Sequence, residues 1–220
     1  MIVTLDGPAG AGKSTAAKAL AKRLGWRYLD TGAMYRAIAW AALEKCVSLE
    51  DESAVADLAG ALEIRFDADR VLVDGQNVSQ AIRSQEITVA TRRVADAPAV
   101  REVMVEQQRR IADGCDIVTE GRDQGTVVFP HAELKVFLTA SAEERARRRF
   151  RERAACGENV SLETILTTQQ ARDEADAARP VGAMRAADDA VLVETDGMSH
   201  DDVVEALVAL VVSRGGEPCP

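Results

Sequence analysis

The sequence predicts an α/β fold, a three-layer α/β/α core built on a five-stranded parallel sheet. Five short runs rich in β-branched or aliphatic residues, "MIVTLDG", "WRYLD", "CDIVTEG", "ELKVFLTA" and "DDAVLVETDG", have strand length. Segments of helical period separate most of them, as the crossovers of a parallel sheet require. The chain is 47% hydrophobic but only 4% aromatic, so alanine, valine and leucine supply much of the packing. That composition suits a sheet covered by helices on both faces.

The first strand starts at the N-terminus and runs into the glycine-rich "GPAGAGK". In "STAAKALAKRLG", Ala16, Ala17, Leu20 and Leu24 form an apolar stripe, and Gly25 is the expected C-cap. "WRYLD" is the second strand. Residues 31–58 read as helix, with an apolar face in "AMYRAIAWAALEKC" and capping signals in "SLEDESAVADLAGAL". The period then changes. "LEIRFDADRVLVDGQNVS" reads as strands broken by turns at Asp67–Asp69 and Asp74–Gly75. Helix resumes in "SQEITVATRRVADAPAVREVMVEQQRRIADG", interrupted near Pro98. Residues 31–112 are therefore a large insertion between the second and third core strands. After those two strands and their basic helix, "SLETILTTQQARDEADAARP" is a further helix that stops near Pro180, and "SHDDVVEALVALVV" closes the chain as a helix.

The 220 residues suffice for one good core with a small appended subdomain. A formal charge of −9 argues against general phosphate-backbone binding, so no nucleic-acid partner is expected. An acidic chain that binds an anion must concentrate its arginines locally. Cys46, Cys115, Cys156 and Cys219 form no CxxC pair and no ligand-spaced cluster, which predicts free thiols in a reducing compartment. No secretory leader or membrane-length apolar run is present, and a cytoplasmic protein without a membrane partner is the expectation. The tail "RGGEPCP" reads as a frayed end, and nothing in the sequence signals an obligate oligomer, so a monomer is expected.

"GPAGAGKS" matches GxxxxGK[ST], with a strand before it and an amphipathic helix after it. This is a P-loop. Gly7, Pro8, Ala9, Gly10, Ala11, Gly12, Lys13, Ser14 and Thr15 are the candidate nucleotide-binding residues. Small side chains let backbone N–H groups face phosphates, and the helix adds its positive N-terminal end. Lys13 neutralises phosphate charge, and Ser14 is the candidate Mg²⁺ ligand. The loop alone does not separate a GTPase, a motor and a kinase. The chain is short for a motor and has no NKxD guanine-recognition sequence.

A kinase needs a second anion site for its acceptor. Arg36, Arg101 and Arg122 are candidates, with Arg122 placed in "TEGRDQG" at a strand end, where parallel sheets bind ligands. Arg172, Asp176 and Arg179 share a helical face, setting a carboxylate between two guanidiniums. Gly121 and Gly125 are expected to clear space for chain and ligand, while Glu120 has no assigned role. The run "RARRRFRER" fits a mobile lid better than a nucleic-acid patch or a plain solvated helix. Arg145, Arg149 and Arg153 are spaced one turn apart, and Arg149 and Arg153 are the lid arginines assigned to catalysis with Lys13 and Arg122.

The segments "DGPAGAGKST", "YLDTGAMYRA", "IRSQEI", "GRDQGTVVFP", "SAEERARRR" and "RDEADAAR", in this order, resemble the bacterial cytidylate kinases of the nucleoside monophosphate kinase family. They span about residues 2–195, and "LDTGAMYR" and "GRDxGTVVFP" are far more specific than the P-loop. The resemblance implies transfer of a phosphoryl group from ATP, with Mg²⁺, to CMP or dCMP. It also implies a core of residues 1–30, 113–140 and 161–214, a monophosphate-binding domain of 31–112 with a β insert near 62–85, and a lid of 141–160. On the same basis Arg36, Arg122 and Arg179 grip the acceptor phosphate, and Arg101 and Asp123 read the cytosine edge. Arg172 and Asp176 contact the ribose and phosphate region, Tyr35 packs in the acceptor pocket, and Thr31 adds a hydroxyl. The chain departs from the family where a base-contacting serine is replaced by Thr91 or Arg92, and where Ala175 and Ala177 thin the charge of "RDEADAAR".

The expected mechanism needs no side-chain base, because a phosphate oxygen is already ionised near neutrality. Positioning and charge stabilisation suffice. Asp123 would accept from the cytosine amine and face an acceptor carbonyl in uracil. Asp6 and Asp30 are candidates for orienting metal-bound water, Asp30 alternatively as a helix cap. The competing readings are a small P-loop kinase for UMP or a hydroxy acid, and a non-catalytic nucleotide switch.

Overall fold

A computed structural model of the chain describes residues 1–67, 70–155 and 157–217. Part of the Asp67–Asp69 turn, Cys156, Cys219 and the last residues of the tail lie outside the described residues. The chain folds into two compact units, Met1–Tyr28 with Gly114–Pro220, and Leu29–Asp113.

The main sheet has five strands in the order β2 (Arg27–Asp30), β6 (Ile117–Glu120), β1 (Ile2–Asp6), β7 (Leu134–Thr139), β8 (Val191–Glu194). β1 pairs in parallel with β6 and β7, and β7 with β8. The non-sequential order requires crossovers, and α1 (Lys13–Leu24) and α8 (His200–Ser213) are among the helices that flank the sheet. Val3, Leu5, Val118, Val136 and Leu138 pack in one core cluster with Leu20 and Leu24 of α1 and Leu207 and Val211 of α8. Gly25 ends α1 in the left-handed conformation, φ 69°, as the stop signal required. Ser199 and Asp202 close a reciprocal capping box at the start of α8. β8 is an edge strand, and its Leu192 is 58% exposed while Val191 and Val193 turn to the core.

Leu29–Asp113 carries the period change. α2 (Thr31–Glu44) and α3 (Glu52–Ala61) precede a three-stranded antiparallel sheet of β3 (Ile64–Asp67), β4 (Arg70–Val73) and β5 (Gln76–Asn77). Asp74 and Gly75 both have positive φ, 49° and 81°, the geometry of a two-residue hairpin turn. After a 3-10 turn at Ala81–Arg83, α4 (Gln85–Asp96) stops and α5 (Pro98–Ala112) begins at Pro98, whose missing N–H costs nothing at a first helical position.

Gln124–Val128 forms a single π-helical turn. One local expectation changes. The helix α7 (Leu162–Ala177), which follows α6 (Ala142–Ala155), ends before Arg179, so that arginine lies beyond the helix that carries Arg172 and Asp176. The π turn is fixed from afar. Asp6, at the end of β1, accepts the N–H groups of Gln124 at 2.9 Å and Gly125 at 2.7 Å. Both carboxylate oxygens of Asp6 thus hold backbone, and the residue anchors this turn. Burial raises its pKa to about 6, against the lowering effect of those two N–H groups and of Lys13.

Replacing Leu207, fully buried against the sheet, by Ala is expected to lower the unfolding free energy by about 2–5 kcal/mol in urea denaturation. A change below about 0.5 kcal/mol, the ordinary size for a surface site, would contradict that packing. Asp6 gives a second test. Its folded pKa lies above its unfolded value, so its protonated form contributes stability below about pH 4 that is lost as pH rises through about 6. Two pKa units correspond to about 3 kcal/mol. The stability of the native chain should therefore fall relative to Asp6→Asn across that window. Parallel pH profiles for the two proteins would rule out a raised pKa.

Candidate functional site

The parallel pairing of β1 and β6 sets Leu5 opposite Glu120, so the loops that follow both strands leave the sheet side by side. After β1 comes the P-loop. Gly7 has φ 141°, and a Cβ there would lie 2.0 Å from the carbonyl oxygen of Leu138. Glycine is required at this position by the backbone of β7 as well as by the loop's own turn. Gly12 takes a left-handed conformation, φ 88°, and leads into α1. Lys13 is buried and donates to the carbonyl oxygen of Pro8 at 2.8 Å. Burial, then the nearby Arg122, lowers its pKa to about 7. An anion placed beside it would reverse that shift by favouring the charged form.

Glu120, unassigned by the sequence, is buried at the end of β6 and accepts the hydroxyl of Ser14 at 2.8 Å. The pair joins two hard oxygen donors at the start of α1. Among the described residues no group of three or more His, Cys, Asp or Glu could hold a metal by itself. A hydroxyl beside one carboxylate suits Mg²⁺, which takes one or two protein oxygens and completes its shell with water and substrate phosphates.

After β6, Gly121 and Gly125 clear space for the chain's own side chains. A Cβ on Gly121 would lie 2.8 Å from Gln124 Cγ, and one on Gly125 2.9 Å from Thr4 Oγ1. The space they were expected to clear for the chain is thus seen. Gln124 Oε1 accepts the Thr119 hydroxyl at 2.8 Å, which holds the turn from inside. Arg122 and Asp123 are thereby presented on a braced loop. Arg122 Nε donates to Asp176 Oδ2 at 2.8 Å, and Arg179 Nη2 donates to Asp176 Oδ1 at 2.7 Å. Asp176 therefore sits between two guanidiniums, Arg122 and Arg179, where the helical spacing had placed Arg172 and Arg179. Arg172 acts at longer range, helping to lower the pKa of Asp176 and of Lys13. The Asp176 carboxyl is held below the usual carboxylate range by Arg122, Arg179 and Arg172, in spite of burial. The result is a cluster of fixed positive charge, with Asp123 buried beside it in sequence.

The basic helix α6 divides its arginines. Arg149 pairs with Glu152 at 3.0 Å and Arg153 with Glu158, both at the surface. Arg148 donates to the hydroxyl and the carbonyl oxygen of Thr195 at 3.0 and 2.7 Å. Arg145 is the buried one: it donates to the carbonyl oxygens of Ala140 and Ala9 and pairs with Asp173. Sequence spacing grouped Arg145 with Arg149 and Arg153 and gave no sign of this difference, because the partners come from other elements.

Within Leu29–Asp113, Asp30 caps α2 by accepting the N–H of Ala33 at 2.8 Å, the capping role expected for it. Thr31 is buried in the first turn of that helix. Arg36 donates to Thr88 Oγ1 at 2.8 Å and to the carbonyl oxygen of Ile82 at 3.2 Å. Arg101 is 3% exposed, donates to the carbonyl oxygen of Ala95, and lies 5.8 Å from the centroid of the Tyr35 ring. Thr91 returns its hydroxyl to the carbonyl oxygen of Ile87, and Arg92 is exposed. Cys46 and Cys115 are free thiols. Among the described residues no helix is long and apolar enough to cross a membrane.

The chain is similar to known proteins over nearly its whole length. A family model described as cytidylate kinase matches residues 3–213. The chain is 52% identical to a cytidylate kinase of Rhodopirellula baltica, covering 96% of this chain and 92% of the other. It is 44% identical to a cytidylate kinase of Vibrio cholerae, covering 97% and 96%. Among solved structures, an uncharacterized protein from Eubacterium ventriosum superposes with a TM-score of 0.54 at 14% identity, covering 97% of this chain and 98% of that one. A shikimate kinase from Bacteroides thetaiotaomicron gives 0.50 at 13% identity, covering 96% and 98%. The two structures share the fold. The match to the family model over nearly the whole chain, with these identities, places the chain in the cytidylate kinase family.

Proposed function

We propose that the protein transfers the γ-phosphoryl group of ATP to the phosphate of CMP or dCMP, giving ADP and CDP or dCDP. The observation that carries the reading is the Asp176 carboxylate gripping Arg122 and Arg179, beside a P-loop. Two guanidiniums held by one buried carboxylate lose little entropy on meeting a phosphate, and their forks match its oxygens. A charge-assisted acceptor site of this kind is what a monophosphate requires and a simple ATPase does not.

In this reading the Gly7–Thr15 loop binds the ATP phosphates, with Lys13 against the transferring group. Ser14 and Glu120 would hold Mg²⁺, which supplies charge neutralisation on the phosphates when bound. Arg122 and Arg179, with Arg36, grip the acceptor phosphate, and Arg172 and Asp176 serve its ribose and phosphate. Arg101 and Asp123 read the base, with Thr31 and Tyr35 beside it. An acceptor oxygen, already ionised at neutral pH, attacks the γ-phosphorus in line. The bond from that phosphorus to the β-bridging oxygen breaks, and ADP leaves. No side chain removes a proton. Residues 31–112 are the monophosphate-binding domain. Residues 141–160 are a lid that excludes water on closure and carries Arg149 and Arg153 towards the phosphates. We assign the enzyme to the cytoplasm, as a monomer.

A coupled ADP-release assay over CMP, dCMP, UMP, dUMP and AMP tests the reading. The cytidine nucleotides should turn over and the others lag well behind. ATP binding with no turnover of any monophosphate would leave a nucleotide switch instead. Arg122→Ala should raise KM for CMP and lower kcat with ATP affinity nearly unchanged. A charged hydrogen bond is worth about 1.5–3 kcal/mol, so the loss in kcat/KM should be roughly tenfold or more. Turnover of CMP near the native rate would remove Arg122 from the site.

A further inference from the structure

We propose that Asp173 and Arg145 are positioning residues that lock the phosphate loop onto α7, so that one helix sets the donor phosphates against the acceptor-binding charges. The proposal rests on the kinase reading above. Asp173 Oδ1 accepts the N–H of Ala9 at 3.0 Å, and Arg145 Nη1 donates to the carbonyl oxygen of the same residue at 2.8 Å. Asp173 Oδ2 takes Arg145 Nη1 in turn, and Arg145 Nε donates to the carbonyl oxygen of Ala140 at 3.1 Å. Both backbone polar groups of Ala9 are therefore held by one largely buried ion pair. The next loop residue is held by sterics: a Cβ on Gly10 would lie 2.6 Å from Gln169 Nε2 and 3.2 Å from Arg145 Cβ.

Gln169, Asp173 and Asp176 follow one another at four and three residues along α7 and so share a face. Asp173 holds residue 9 of the loop, and Gln169 packs close against residue 10. The third fixes Arg122 and Arg179. α7 is thus a single rigid bar with the donor loop on one turn and the acceptor guanidiniums on the next. Burying an ion pair is a poor route to stability, since an apolar pair of the same volume is often as good. A guanidinium whose N–H groups reach a carboxylate and two carbonyl oxygens at once fixes distance and direction together. In-line transfer depends on that, because a 1 Å misplacement of reacting groups can cost about a hundredfold in rate. Arg145 is by this account a strut and not one of the arginines that reach the transferring phosphoryl.

The test uses the full-length chain with Asp173→Asn, Arg145→Lys and the double variant. Asp173→Asn should keep the native far-UV circular dichroism and a cooperative thermal transition. It should weaken ATP binding by about tenfold, lower kcat by at least as much, and leave the affinity for CMP alone within about twofold, on the scale of one charged hydrogen bond. Arg145→Lys keeps the charge but loses the fork, and should show the same split. The double variant should be no worse than the poorer single, as for a coupled pair. Native kcat and ATP affinity in both single variants would overturn the proposal. So would an equal loss of ATP and CMP affinity that follows a loss of thermal stability, which marks a merely structural pair. If native protein binds ATP but phosphorylates no monophosphate, the kinase reading fails; ATP affinity, read by titration calorimetry, then decides the strut separately.

Discussion

The parallel pairing of β1 with β6 is the constraint on which the site depends. It brings two strand ends together, and with them two loops of different chemistry. One loop offers backbone N–H groups and a lysine. The other offers Arg122 and Asp123. Asp6 then ties the second loop to the first strand through two backbone hydrogen bonds, and Glu120 ties the second strand to the first loop through Ser14. Each strand end thus stabilises the loop of its neighbour. Misplacing either loop would disturb both.

The electrostatics follow the same plan. Positive charge is dense around the P-loop, and it is kept in place by a few buried carboxylates rather than by solvent. Asp176 holds two guanidiniums, Asp173 holds a third, and Glu120 lies near Lys13. Because each carboxylate is buried or nearly so, the arginines are oriented before any anion arrives. A preorganised cluster of this type stabilises a phosphate more than mobile surface arginines would, as the entropy of ordering is already met by folding. The net charge of −9 is compatible with that arrangement, since the anion meets the local field and not the average one.

Much of this was legible in the residues. The strands and helices followed hydrophobic period and cap chemistry closely, as at Gly25, Pro98 and Asp74–Gly75. The P-loop was legible because spacing and flanking elements coincide in one continuous stretch. Arg122 stood out as a charge at an apolar strand end. Gly121 and Gly125 were legible as clearing space, but not which side chains, Gln124, Thr4 and Lys135, would fill it. Glu120 and Asp6 had no readable partner, because a carboxylate looks the same in sequence whether it binds metal, backbone or hydroxyl.

What the sequence determined alone was local: where each strand and helix lies, that a phosphate cradle follows β1, and that charge collects at the end of β6. The tertiary structure decided the pairings. Ser14 meets Glu120 across 106 positions, and Asp6 meets Gln124 across 118. Within α6, six arginines in a nine-residue run differ in fate only because the neighbouring elements offer a largely buried carboxylate and carbonyls to Arg145 and solvent to Arg149. Propensity and period act over a few residues, whereas the partner of a charge is set by sheet order and helix packing. That is why the kind of chemistry was written in the chain, and its geometry only in the fold.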